Sequence, residues 1–226
     1  MNLQKISWKG YLMSEYEKKY DDIYDILKGL ELNIKTAFEN SSLKRVLYTT
    51  KSRIKEKSHF LEKIERKNRD GRGITAENLF NEITDIIGIR LIVLYPQHFK
   101  DIHDFIMKNV AANTWELKES PVLYTWDDDM KRFFEREMDF ENTSFKESLY
   151  TSVHYVLRIK NTESSVPYFE VQVRTLLEEV FGEIDHDVNY PHLSQNEILK
   201  SQLKALAKMM AGGIKLAETI YMQKEI

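Results

Sequence analysis

Two short segments decide the fold of this chain, Asp85-Ile-Ile-Gly-Ile-Arg90 and Glu170-Val-Gln-Val-Arg-Thr175. The first opens a nearly continuous apolar run over 86–95, which predicts a central β-strand buried on both faces. The second alternates polar and apolar residues, so its polar side chains are predicted to share one face of a strand. Each segment therefore places one carboxylate, Asp85 or Glu170, at the edge of a β-sheet.

Helices are predicted around these strands wherever apolar residues recur at three- and four-residue steps. They cover 12–39, 56–67, 99–110, 176–185 and a last helix that begins at Ser194 or Asn196. A further helix, capped by Thr75, is predicted to carry Leu79, Phe80 and Ile83. Further strands are predicted at 46–48, and at 152–159 and 168–174 as an antiparallel pair, while 120–146 is predicted to be a loop with a short helix on the rim. This order predicts an α+β or α/β sheet domain with a helical flank.

The chain is slightly acidic and contains no cysteine. It has 226 residues, with 33 Lys and Arg against 36 Asp and Glu, so a globally basic nucleic-acid-binding protein is not indicated. The absence of cysteine excludes disulfides, thiolate catalysis and cysteine-ligated zinc. Because no apolar run reaches membrane-spanning length and the N-terminus has no signal pattern, we expect a cytoplasmic protein without membrane association.

A local basic segment stands out within this acidic protein. Between Lys44 and Arg72 there are eleven Lys and Arg against four Asp and Glu. Arg53 and Lys55 share a face of an extended chain, and Lys63 follows on the next helix. Guanidinium and ammonium groups neutralise phosphate oxygens, so the segment is a candidate polyphosphate site. A solvated helix face is the ordinary alternative for such a run of charge.

The two carboxylates and their neighbours are the next candidates. An acid directly before a buried strand, as at Asp85, can hold Mg²⁺ with few other protein ligands, although a helix-terminating role is the alternative. Glu170, Gln172 and Arg174 share one strand face, which is usually a solvent-facing edge. The apolar Leu176 that follows favours an interior position, where such polar groups need partners.

A third group leads into the strand at 152–159. Lys146, Ser148, Tyr150 and His154 follow one another at steps of two, two and four residues. Taken alone, His154 and Tyr150 are interpreted as core residues. His186 has no second histidine suitably placed for a metal site, so it is predicted to have a structural or supporting role.

Taken in order, these segments resemble the synthetase domain of the RelA/SpoT family, the alarmone synthetases, over residues 40–192. Five motifs carry the resemblance: Arg53-x-Lys55 with Lys63, Asp85-x-x-x-x-Arg90, Lys146-x-Ser148-x-Tyr150-x-x-x-His154, Glu170-x-Gln172-x-Arg174-Thr175, and Glu183-x-x-His186 with Tyr190. Each motif is weak by itself, but their order is specific. The resemblance implies an α+β fold with a mixed sheet of about five strands flanked by helices, in a nucleotidyltransferase-like domain over 40–193. The segments 1–39 and 194–226 would add N- and C-terminal helices.

The family transfers pyrophosphate from ATP to the 3′-hydroxyl of a guanine nucleotide, which implies GDP or GTP as partner and Mg²⁺ as cofactor. By resemblance, Asp85 and Glu170 are the catalytic and metal-binding residues, with Glu170 placed to take the 3′-hydroxyl proton. The implied ATP-binding residues are Arg53, Lys55, His59, Lys63 and Arg90. The implied acceptor-binding residues are Lys146, Ser148, Tyr150, His154, Gln172 and Arg174.

Two departures from the family pattern keep other functions open. His59 stands where the family usually has serine, and Ser148-Leu149-Tyr150 stands in place of Asn-Gly-Tyr. One alternative is a toxin-type relative, with a possible antitoxin partner, that pyrophosphorylates the 3′ end of tRNA or makes adenosine alarmones. Another is a non-catalytic nucleotide-sensing module. The last helix is expected to pack on the domain or on another subunit of a homo-oligomer, and the family's hydrolase domain is not expected in this chain.

Overall fold

The structure is a computed structural model that describes residues 8–138, 143–145, 149, 151–160, 166–189 and 193–224. It contains seven helices and seven strands within this part of the chain. In order they are α1 (Trp8–Glu39), β1 (Leu47–Ile54), α2 (Lys57–Arg69), α3 (Leu79–Glu82), β2 (Ile87–Val93), α4 (His98–Ala111), β3 (Trp115–Leu117), β4 (Val122–Thr125), α5 (Asp128–Met138), β5 (Thr143–Phe145), β6 (Ser152–Ile159), β7 (Phe169–Thr175), α6 (Leu176–Asn189) and α7 (Glu197–Lys224). A 3₁₀ turn at Ser42–Arg45 joins α1 to β1.

The strands form one mixed sheet in the order β1-β2-β7-β6-β4-β5, with β3 paired to β6. β2 and β7 run parallel, while β1 pairs with β2 and β6 pairs with β7 in antiparallel register. The predicted α+β mixed sheet and the antiparallel pair are therefore confirmed. Among the described residues the sheet has seven strands, where about five were expected.

The rim segment explains part of this difference. It was predicted to be a loop with a short helix, but it holds β4, α5 and β5. The two strands are only four and three residues long, which is too short for alternation to be recognised in sequence. The helix predicted after Thr75 is also shorter than expected, because Thr75 and Asn78 form side-chain turns with the backbone.

The two faces of the central strands have opposite character. The apolar side chains of β7 lie in the main core with those of α1 and α4, where Trp115 also meets Phe169 edge to face at 6.2 Å. The polar side chains of β7 point to the other face, which α6 borders. A smaller cluster, built on Phe181 and Leu203, holds α7 against α6.

The strand register arranges the polar face in two rows. Arg53 of β1 lies opposite Gly88 of β2, which lies opposite Glu170 of β7. Along the next row, Lys51, Arg90, Gln172 and His154 follow one another across four strands. Predicted site residues from distant parts of the sequence thus share one surface. Within the described residues, no helix has an apolar stretch long enough to cross a bilayer.

Candidate active site

Two adjoining clefts open on the polar face of the sheet. The first, here called the carboxylate cleft, has a volume of about 220 Å³ and is lined by Lys51, Ser52, Arg53, Asp85, Gly88, Ile89, Arg90, Glu170, Gln172, Glu183 and His186. The second, the basic cleft, measures about 530 Å³ and is lined by Arg53, Lys55, His59, Glu62, Lys63, Arg66, Arg69, Asp85 and His186. Arg53, Asp85 and His186 line both, so the two clefts form one continuous surface.

Asp85 lies at the boundary of the two clefts, just before β2. Its Oδ2 atom is 2.6 Å from Lys63 Nζ and 3.1 Å from Lys55 Nζ. Burial alone raises the pKa of Asp85, but the two ammonium groups outweigh it and hold the pKa of this carboxyl below its usual range. Its Oδ1 atom is buried and has no hydrogen-bond partner in the described part of the chain. One oxygen of this ionised carboxylate is thus left without a hydrogen bond among the described residues.

Glu170 lies on β7 at the floor of the carboxylate cleft. Its Oε1 atom is 3.0 Å from His154 Nδ1, and its Oε2 atom accepts a hydrogen bond of 2.6 Å from Gln172 Nε2. Burial raises the pKa of Glu170, but the contacts with His154 and Gln172 favour the charged form and hold the pKa below its usual range. Tyr124 of β4 packs edge to face on the His154 ring at 4.6 Å. Glu170 is therefore a fixed, ionised carboxylate.

A buried carboxylate connects the strands behind the cleft. Glu179 of α6 accepts hydrogen bonds from Lys51 at 2.8 Å and Arg90 at 3.0 Å through Oε1, and from Arg174 at 2.9 Å through Oε2. Arg90 also pairs with Glu183, one turn further along α6. One face of α6 thus binds Lys51, Arg90 and Arg174, which lie on three different strands.

The structure brings most of the predicted site residues together. Those that line one or both clefts are Arg53, Lys55, His59, Lys63, Asp85, Arg90, Glu170 and Gln172. His154 contacts Glu170, whereas Arg174 is buried behind Gln172 and is 5% exposed. The predicted acceptor residues Lys146, Ser148 and Tyr150 lie outside the described residues.

The sequence-based prediction did not include Lys51, which lines the carboxylate cleft. Glu183 and His186 line the same cleft from α6; in the sequence they were part of a family motif without a predicted binding role. His186, predicted to be structural or supporting, lines both clefts. The steps of four and three residues between Glu179, Glu183 and His186 place them on one helix face, and this spacing was the signal available in the sequence.

A sequence model described as a region found in RelA / SpoT proteins matches residues 52–195, more than half of the chain. The chain belongs to the RelA/SpoT family. The matched region includes Arg53, both carboxylates and the α6 residues that face the clefts, so the predicted resemblance is confirmed. A search of curated proteins finds no match for this RelA/SpoT chain.

Solved structures share the RelA/SpoT synthetase fold with this chain. A GTP pyrophosphokinase family protein from Streptococcus pneumoniae has a TM-score of 0.65 at 21% identity, covering 91% of this chain and 92% of that one. The small alarmone synthetase 1 from Bacillus subtilis, bound to its product pppGpp, has a TM-score of 0.64 at 20% identity, covering 94% and 100%. The same Bacillus subtilis protein bound to AMPCPP has a TM-score of 0.62 at 16% identity, covering 93% and 97%. At these identities the likeness establishes the fold.

Proposed function

We propose that this protein is an ATP-dependent pyrophosphokinase that transfers the β,γ-pyrophosphate of ATP to the 3′-hydroxyl of GDP or GTP, making (p)ppGpp. The observation that carries the proposal is the shared cleft of Asp85 and Glu170, which is continuous with a cleft lined by five Lys and Arg residues. Membership of the RelA/SpoT family supports the same reaction. The two structures of the Bacillus subtilis relative, bound to pppGpp and to AMPCPP, support a guanine-nucleotide product and an adenine-nucleotide donor.

The basic cleft is the proposed site of the ATP phosphates. Arg53 reaches both clefts, and Lys55 and Lys63 lie beside it with Asp85 as their present partner. Ammonium and guanidinium groups neutralise phosphate oxygens, and phosphoryl transfer depends mainly on positioning and charge neutralisation. We infer that phosphate oxygens replace Asp85 as the partners of Lys55 and Lys63 when ATP binds. Asp85 can then bind a cation.

The donor groups fit Mg²⁺. Asp85 has a buried oxygen without a hydrogen-bond partner among the described residues, and Glu170 presents a second carboxylate on the same cleft. No group of three or more His, Cys, Asp or Glu residues suited to a metal occurs in the described part of the chain. Two carboxylates are what Mg²⁺ uses when substrate phosphates and water supply its other ligands. When bound, the ion would neutralise charge on the transferring phosphates.

Glu170 is the proposed general base. Its depressed pKa keeps it ionised at neutral pH, so it can accept the proton of the 3′-hydroxyl. The 3′-oxygen then forms a bond to the β-phosphorus of ATP, and the bond from that phosphorus to the α,β-bridging oxygen breaks. AMP leaves with the bridging oxygen, and the pyrophosphoryl group is carried by the acceptor.

The test is incubation of the purified protein with γ-labelled ATP and Mg²⁺, with GDP, GTP, AMP or deacylated tRNA offered separately. Labelled guanosine tetra- or pentaphosphate is the expected product, and Glu170→Gln should abolish it. Glu17→Gln, which changes an exposed carboxylate of α1, is the matched control and should keep full activity. Label on tRNA or on an adenosine product would instead identify a toxin-type relative, and no labelled product would favour a nucleotide-sensing module.

A further inference from the structure

The carboxylate of Glu179 occupies a position where an unpartnered charge would be unstable. Its side chain is 4% exposed, and it faces Lys51, Arg90 and Arg174 from three different strands. A buried charge is tolerated only when paired and hydrogen-bonded, so these partners fix the carboxylate in place. Its two oxygens serve different parts of the site. Oε1 holds Lys51 and Arg90, and Oε2 holds Arg174.

The hydrogen bonds beyond Arg174 have a fixed direction. A guanidinium has donors and no acceptor, so Gln172 must turn its amide oxygen toward Arg174. Arg174 Nη2 donates to Gln172 Oε1 at 2.6 Å, and Gln172 Nε2 donates to Glu170 Oε2 at 2.6 Å. With the amide flipped, nitrogen would face the guanidinium and oxygen would face the carboxylate of Glu170. Arg174 therefore sets which end of Gln172 meets Glu170.

We propose that Glu179 is a positioning residue whose one carboxylate holds Arg90 in the carboxylate cleft and, through Arg174 and Gln172, orients Glu170. The proposal rests on the proposed pyrophosphokinase function, in which Glu170 is the base. Glu179 does not line either cleft among the described contacts, so it acts through other residues. Its position joins Arg90 of β2 to Glu170 of β7 in one hydrogen-bonded chain.

The kinetic test uses Glu179→Gln and Arg174→Lys. The first removes the charge but keeps the shape, and the second keeps the charge but removes the planar fork that bridges Glu179 and Gln172. Because both interrupt the same chain, each should lower kcat by about 100-fold, a loss typical of a misplaced catalytic group, with a much smaller change in KM for the acceptor. The double variant should lose no more than the stronger single variant. The exposed change Glu17→Gln is the control.

A second readout does not depend on activity. The side-chain amide protons of Gln172 can be assigned by NMR as the pair that disappears in Gln172→Glu. Because Gln172 Nε2 donates to Glu170 while Arg174 fixes the amide oxygen, these protons should exchange slowly with solvent in the wild-type protein and at least ten-fold faster in Glu179→Gln. The Arg174→Lys variant gives the same information if Glu179→Gln does not fold.

The outcomes separate this proposal from the proposed function. If the wild-type protein transfers no pyrophosphate, the function is wrong, and the amide exchange alone decides whether Glu179 fixes Gln172. If the wild-type protein is active and both single variants keep its kcat, the positioning role is overturned. It is also overturned if the two losses multiply in the double variant, or if amide exchange is unchanged in Glu179→Gln.

Discussion

Replacing Glu178 with glutamine should stabilise the protein at neutral and alkaline pH but not at pH 4.5. Glu178 is 6% exposed and closes a capping box at the start of α6, where its Oε2 atom accepts hydrogen bonds from Thr175 N at 2.7 Å and Thr175 Oγ1 at 3.0 Å. Its Oε1 atom is buried with no partner among the described residues. Glu178 lines a small cavity together with the apolar side chains of Trp126, Leu149 and Phe181.

Burial decides the titration of this carboxyl. It raises the pKa of Glu178 from 4.5 to about 7, although the Thr175 hydrogen bonds and Arg174 favour the charged form and Asp127 opposes it. Between these two values the folded protein keeps the proton that the unfolded chain has released. Stability therefore falls as the pH rises from 4.5 to about 7, and the loss corresponds to about 3 kcal/mol.

Glutamine keeps the capping box, because its amide oxygen can accept the same two hydrogen bonds. Unlike the carboxyl group, the amide does not titrate. The measurement is the free energy of unfolding by urea, followed by tryptophan fluorescence at pH 4.5, 6 and 8, for the wild type and Glu178→Gln. The difference between the two should grow in favour of the variant by about 3 kcal/mol from the lowest to the highest pH. Glu17→Gln, which changes an exposed carboxylate, is the control. A difference for Glu178→Gln that stays constant with pH would refute the reasoning.

Three further predictions concern the cation, the packing of α7 and its exposed face. Asp85→Asn should lower kcat about 100-fold, and its activity should no longer saturate with Mg²⁺ concentration. If activity depends on Mg²⁺ as in the wild type, Asp85 is not a metal ligand. The free energy of unfolding in urea should be about 1 kcal/mol lower for Gly213→Ala than for Gly212→Ala. A Cβ at 213 would lie 3.0 Å from Leu177 Cδ1, whereas a Cβ at 212 meets nothing within 4 Å. Equal stability of these variants would contradict the packing. Leu216 of α7 is 62% exposed. If α7 joins two copies of the protein, Leu216→Glu should reduce the mass measured by light scattering to that of one chain, 26.8 kDa. A wild-type protein that already has this mass would contradict the oligomer prediction.

The central strands were predictable because their patterns are long and unambiguous. The apolar run over 86–95 contains β2, and the strand predicted over 168–174 covers all of β7 except its last residue, Thr175. β1 was harder, since only 46–48 was predicted and the strand runs from Leu47 to Ile54. Its second half carries Lys51 and Arg53, which read in sequence as a charge run. Those side chains are exposed because they line the clefts. Residues 51–53 of β1 therefore lack the apolar side chains by which a strand is recognised in sequence.

The connections behind the site were beyond the reach of sequence reasoning. A charged residue in the first turn of a helix, such as Glu179, is normally exposed. Its burial follows from cations on β1, β2 and β7, and only the tertiary fold brings these strands under α6. The carboxylates Asp85 and Glu170 were found without this information, because each sits in a motif of its own.

β1 lies at one end of the sheet, and among the described strands it pairs only with β2. Edge strands of this kind are templates for aggregation, and charged side chains along them prevent pairing with a second chain. We therefore expect Lys51 and Arg53 to oppose such pairing as well as lining the clefts. Neutralising them to make an inactive protein would also expose a bare strand edge, so inactive controls for experiments in cells are better made at Glu170, which lies on an interior strand.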